Sequence, residues 1–120
     1  MSRRKATTKT QFNAFKRSFC HWQREFGLTE FDIVFELEDM PSEYATIDAD
    51  IPNCTALVSF CKYIPSGARM DMDMAKTTGK HEALHLLTGR MRHLAMTRFV
   101  SEDEVWQADE QLVRVLEKVI

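Results

Sequence analysis

The apolar residues of this chain change period twice, and that alternation limits the folds open to it. From Thr8 to Phe26 the aromatics Phe12, Phe15, Phe19, Trp22 and Phe26 recur at spacings of three and four. That is a helical stripe, and Gly27 stands where a helix C-cap belongs. The period then falls to two. Phe31, Ile33, Phe35 and Leu37 share one face of a first run. Ala45, Ile47, Ala49 and Ile51 share one face across Tyr44 to Ile51. In the run from Cys54 to Ile64, Ala56, Val58 and Phe60 oppose Leu57, Ser59 and Cys61. Pro52-Asn53 and Pro65-Ser66-Gly67 bound the last run. Helical spacing returns from about Asp73 to Gly89, residues 94–100 form a connection, and Ser101 opens a final helix that runs to the C-terminus. Three neighbouring strands joined by short turns most simply form an antiparallel meander. The spacing thus predicts an α+β domain over residues 8–120 with a three-stranded, mainly antiparallel sheet, preceded by a flexible basic tail at 1–7.

The chain has 120 residues, enough for one domain with its own core. No apolar run approaches the roughly 20 residues of a membrane-spanning helix, so no membrane partner is expected. Arg3, Arg4 and Lys5 precede no apolar stretch, unlike a secretory signal. Three cysteines without a CxxC pair suit a reducing compartment, and a cytoplasmic location follows as the expectation. Cys54 and Cys61 are expected on opposite faces of a strand, hence as packing residues.

A net charge of −2 disfavours a globally basic nucleic-acid binder, but the total conceals blocks. Residues 1–24 hold seven cations and no acid, and residues 25–62 hold nine acids against Lys62. Residues 66–100 hold six cations against three acids, and the last twenty residues hold six acids against two cations. Such alternation suits segments that face one another in a compact fold.

Within the third block stands His81-Glu82-Ala83-Leu84-His85, an HExxH motif. Positions i and i+4 share one face of a helix, so both imidazoles reach one ion. Zinc takes such nitrogen ligands and, when catalytic, three protein ligands plus a water. Glu82 is then placed as general base beside that water. The helix has its own apolar set in Leu84, Leu87, Met91 and Leu94, which frees the histidines from the core. Met70-Asp71-Met72-Asp73-Met74 lacks the glycine and distal glutamate of a calcium loop, and reads as the first turn of this helix with acids at its positive end.

With this motif the chain resembles the zincin metallopeptidases: an N-terminal helix, a small sheet, an HExxH helix, and a following helix that brings the third ligand. The segments 27–33, 80–87 and 110–117 together resemble small uncharacterised metallopeptidases of phage and prophage genomes. The resemblance implies a zinc-dependent peptidase of the kind with a glutamate third ligand, holding one zinc ion and acting on a peptide or protein in a bacterial or phage-infected cell. It also implies that an edge strand, from 44–51 or 54–64, runs beside the substrate. The metzincin continuation is excluded, because Thr88 and Met91 occupy its glycine and histidine positions. His93 lies two turns past His85, about 12 Å along the helix, and returns to the metal only if Gly89 breaks that helix.

Two acids of the last helix remain as third ligand. Glu110 lies at the edge of an apolar stripe formed by Val105, Leu112, Val113, Leu116, Val119 and Ile120, and inside the segment of resemblance. Asp109, in the middle of that stripe, would then accept a hydrogen bond from a ligating imidazole. Glu104 is the alternative, at the interval usual in zincins with a glutamate ligand, although Ser101-Glu102-Asp103-Glu104 also has the form of a capping box. Tyr63, Arg90, His93 and Arg98 are candidate donors to an oxyanion. Two other readings stand beside the enzyme. One is a catalytically silent binding module that contacts nucleic acid or a partner protein through its basic N-terminal segment, nucleic acid being the less favoured partner for the chain as a whole. The other is a structural zinc site closed by Glu104 and Glu110, or by His93.

Overall fold

The computed structural model describes residues 4–97 and 99–119. The candidates Arg3, Arg98 and Ile120 lie outside them. The elements are α1 (Lys9–Glu25), β1 (Asp32–Glu38), β2 (Ala45–Asp50), β3 (Thr55–Cys61), α2 (Met72–Met96) and α3 (Glu102–Val119). An α+β order of helix, three strands and two helices follows the sequence pattern.

Helix α1 begins in a capping box. Gln11 N–H donates to Thr8 Oγ1 at 3.1 Å, and Thr8 N–H donates to Gln11 Oε1 at 2.9 Å. It ends at Gly27, whose φ of +71° is the left-handed conformation that lets the chain turn away. The buried Gln23 amide then donates to the carbonyls of Leu28 and Phe31 and fixes the entry into β1.

The sheet differs from the predicted meander. Its order is β1-β3-β2, with β1 parallel to β3 and β2 antiparallel to β3. β3 takes the centre because Thr55–Cys61 carries no charge and is buried along most of its length. β1 and β2 both carry acids and take the edges, where solvent reaches them. The predicted strand faces hold in the register, although Leu37 near the end of β1 is exposed rather than packed. Ile33, Phe35, Ala56, Val58, Phe60, Ala45 and Ile47 share the face that meets the helices, as the register requires.

The aromatic stripe of α1 lands on that face. Phe15 stacks on Phe60 at 4.4 Å between centroids, and both Phe15 and Phe19 meet Phe35 edge-on. The tail expected at 1–7 is held to the sheet from Arg4 onward. Arg4 pairs with Asp39 and lies over the Tyr63 ring. Ile64 N–H donates to Lys5 O, Ala6 bridges Tyr63, and Thr7 N–H donates to Lys62 O.

Helix α2 is capped by Asp71, which accepts from Met74 N–H at 2.8 Å, and it runs unbroken past Gly89. It lies along α1 because Ala75, Gly79 and Ala83 present small residues every fourth position. A Cβ on Gly79 would stand 2.6 Å from the Phe15 carbonyl oxygen and 2.9 Å from the Phe19 nitrogen, both backbone atoms. Gly79→Ala is therefore expected to destabilise the protein by about 1–3 kcal/mol through overpacking, despite alanine's better helix propensity. Urea unfolding checks this, and an unchanged or raised midpoint would contradict the close approach.

Helix α3 opens with the predicted box, Glu104 N–H donating to Ser101 Oγ and Ser101 N–H to Glu104 Oε1. Its packed stripe keeps Leu112, Leu116 and Val119 of the predicted one but is rotated toward Ala108 and Val115. Ala108 is buried and Leu112, Val115, Leu116 and Val119 pack on the core, while Val105 and Val113 face solvent.

Candidate metal centre

The outer side of α2 faces the edge strand β2 across a cleft of about 590 Å³. His81, Glu82, His85 and Arg92 line it from the helix, and Glu43 to Ile47 line it from the opposite wall. The motif residues reach the cleft because small residues turn the other side of α2 toward α1. The predicted apolar set of α2 holds for Leu87 and Leu94, which are buried, whereas Leu84 and Met91 are half-buried.

His81 Nε2 and His85 Nε2 stand 3.2 Å apart, their rings nearly perpendicular. Two nitrogens each about 2.0–2.1 Å from one tetrahedral ion are separated by about 3.3–3.4 Å. The imidazole spacing thus fits two ligands of a single zinc. Burial, together with nearby His81 and Arg92, holds the His85 pKa below the usual histidine value. His85 therefore stays in the neutral, ligating form to lower pH.

Glu82 is 4% exposed, and no protein group among the described residues hydrogen-bonds its carboxylate. Its pKa lies above the usual glutamate value. Burial is the main cause, opposed by His81 and reinforced by the charge of Glu43. A carboxylate without a protein donor, opening onto a cleft, is suited to take a proton from a group placed there.

The acids of α3 do not join the histidines. Glu110 is exposed, lies 3.9 Å from Arg114, and borders a different cleft with Arg24 and Trp106. Asp109 is likewise exposed. Both turn outward because α3 packs through Ala108, Leu112 and Val115 rather than through the stripe centred on Asp109. Glu104 is engaged by Ser101, whose N–H and hydroxyl hold its pKa low, and it borders a third cleft with Arg90 and His93. The continuous helix carries His93 two turns beyond His85, away from the imidazole pair. Among the described residues no group of three His, Cys, Asp or Glu side chains is arranged as a metal cage. Of the oxyanion candidates, Tyr63 lies under Arg4, and Arg90 borders the third cleft.

Two residues of the cleft were not among the predicted site. Arg92 follows His81 and His85 at i+11 and i+7, a spacing that puts all three on one helical face. Glu43 sits in the turn before β2, and only the sheet order brings it opposite the motif. No family model, curated protein or solved structure matches the chain in comparison.

Proposed function

We propose that this domain is a zincin-like zinc metallopeptidase, with His81 and His85 holding one metal ion and Glu82 as general base. The observation that carries the reading is the 3.2 Å approach of the two Nε2 atoms beside a buried, donorless Glu82 in an open cleft. Besides Glu82, Glu43 is the carboxylate that lines this cleft, and we take it in place of Glu110 and Glu104 as the third ligand, one that has to move toward the two imidazoles because no ready-made set of three stands there among the described residues. When bound, zinc would polarise the scissile carbonyl and lower the pKa of a water molecule.

The chain's own groups supply the rest. Glu82 takes a proton from the attacking water and passes it to the leaving amine, and the burial that raises its pKa helps it hold that proton between the two steps. Arg92 lines the same wall and offers a cation to the developing oxyanion. The substrate strand lies along β2. Of the two predicted strands, only 44–51 fits, since β3 is central.

Calorimetric titration of the metal-free protein with zinc tests the reading. One ion per chain is expected, and His81→Ala and His85→Ala are each expected to weaken binding at least a hundredfold. Glu43→Gln is expected to weaken it about tenfold, with Glu104→Gln and Glu110→Gln leaving it unchanged. No zinc binding by the unaltered protein at neutral pH would refute the proposal.

A further inference from the structure

Among the described residues, strand β2 has no neighbour on its outer side. Cys61 N–H donates to Tyr44 O at 2.8 Å, which makes Tyr44 and Cys61 a hydrogen-bonded pair. Alternation along the antiparallel register then makes Thr46–Ser59, Asp48–Leu57 and Asp50–Thr55 the bonded pairs. The N–H and C=O groups of Ala45, Ile47 and Ala49 consequently point outward, and among the described residues they have no protein partner. This open edge forms one wall of the cleft into which the buried Glu82 opens. Free backbone donors and acceptors in a row recognise one ligand class above others, an extended peptide that adds a fourth strand.

Such a peptide presents alternate side chains to the two faces of the sheet. One set points toward the helices, beside Ala45 and Ile47. The other set lies over the outer face, next to Thr46, Asp48 and Asp50. That face also carries Asp32, Glu36 and Glu38 from β1, and no strand contributes a lysine or arginine to it. Asp48 is exposed and has no partner among the described residues, and Asp50 accepts only from the neutral Asn53. A cationic side chain arriving there meets two carboxylates that no cation among the described residues pairs with, whereas an acidic one is repelled.

We infer that the cleft takes extended peptides with lysine or arginine at alternate positions, and that Asp48 and Asp50 set this preference. The inference rests on the reading of the cleft as a peptide site. It deepens that reading by naming the substrate class.

The test uses the full chain and two fluorescent peptides, one alternating valine with lysine and the other valine with glutamate. Fluorescence anisotropy at low salt is expected to show about tenfold tighter binding of the lysine peptide, with the gap narrowing at 0.5 M salt. Hydrogen exchange at the Ile47 amide is expected to slow on binding. Asp48→Asn alone should shrink the preference severalfold, and Asp48→Asn with Asp50→Asn should bring the two peptides within about twofold. Equal binding of the two peptides, or a preference unmoved by these variants, overturns the inference. Cleavage of both peptides with added zinc is measured in parallel and separates the two claims. Selective binding without cleavage removes the peptidase and leaves the docking rule, while cleavage without preference does the reverse. Neither binding nor cleavage overturns both.

Discussion

Glu82→Gln is expected to leave zinc affinity within about twofold and to lower peptide cleavage by about 10²–10⁴, the range that a positioned general base supplies. The amide preserves shape and polarity but cannot accept the water's proton. Metal analysis together with cleavage of a peptide library separates the two effects. Activity equal to that of the unaltered protein would eliminate Glu82 as the base.

The same substitution should act in the opposite sense on stability, and the sign follows from burial. Desolvation raises the Glu82 pKa in the folded state above its unfolded value, so the folded protein holds the proton more tightly. Stability is therefore full below the unfolded carboxyl pKa of about 4.3 and declines as pH rises from there through the folded pKa. At neutral pH the ionised carboxylate is a cost that glutamine lacks. Metal-free Glu82→Gln should accordingly melt higher at pH 7 and almost unchanged at pH 4. A residue that destabilises its own fold is expected where function, rather than packing, holds it in place.

Local pattern made much of this fold legible. The aromatic spacing located α1, the period of two sorted the residues of each strand into its two faces, Ser101 marked the start of α3, and the start of α2 was expected at about Asp73, one residue past the observed Met72. Periodicity reports which face a residue occupies but not which strand lies beside it, so the β1-β3-β2 order was not accessible from alternation. A signal for it did exist, since only Thr55–Cys61 lacks charge and can be covered on both sides. In α3 the apolar residues spread around more than half of the helix, so two stripes competed. Packing on the core selects the one that adds Ala108 and Val115 over the one that adds Val105 and Val113, and that choice turns Asp109 and Glu110 to solvent. Glu43 lies in a turn with no periodicity, and only the long-range sheet order places it opposite His81.

Phe15→Ala is expected to cost about 3–5 kcal/mol, the range for deleting a buried phenyl ring from a packed core. Phe15 is fully buried and joins three layers of contact. Its ring stacks on Phe60 of the central strand, its edge meets Phe35, and its backbone lies against Gly79 of α2. The neighbours that would fill the space are themselves held, Phe60 by Phe12 and Phe35 by Phe19, so collapse into the cavity is restricted. A domain of this size has about 5–15 kcal/mol in total, and the melting temperature should fall by about 10–20 °C. Trp106→Ala removes a larger ring that is 61% exposed and should stay within about 0.5 kcal/mol, which makes it the control. The Phe15 cavity also loosens the contact that sets α2 against the sheet. If the cleft depends on that contact, Phe15→Ala should weaken zinc binding even below its melting temperature, while Trp106→Ala should not. A loss under 1.5 kcal/mol for Phe15→Ala would mean that the aromatic stack is not the element that fixes the motif helix on the sheet.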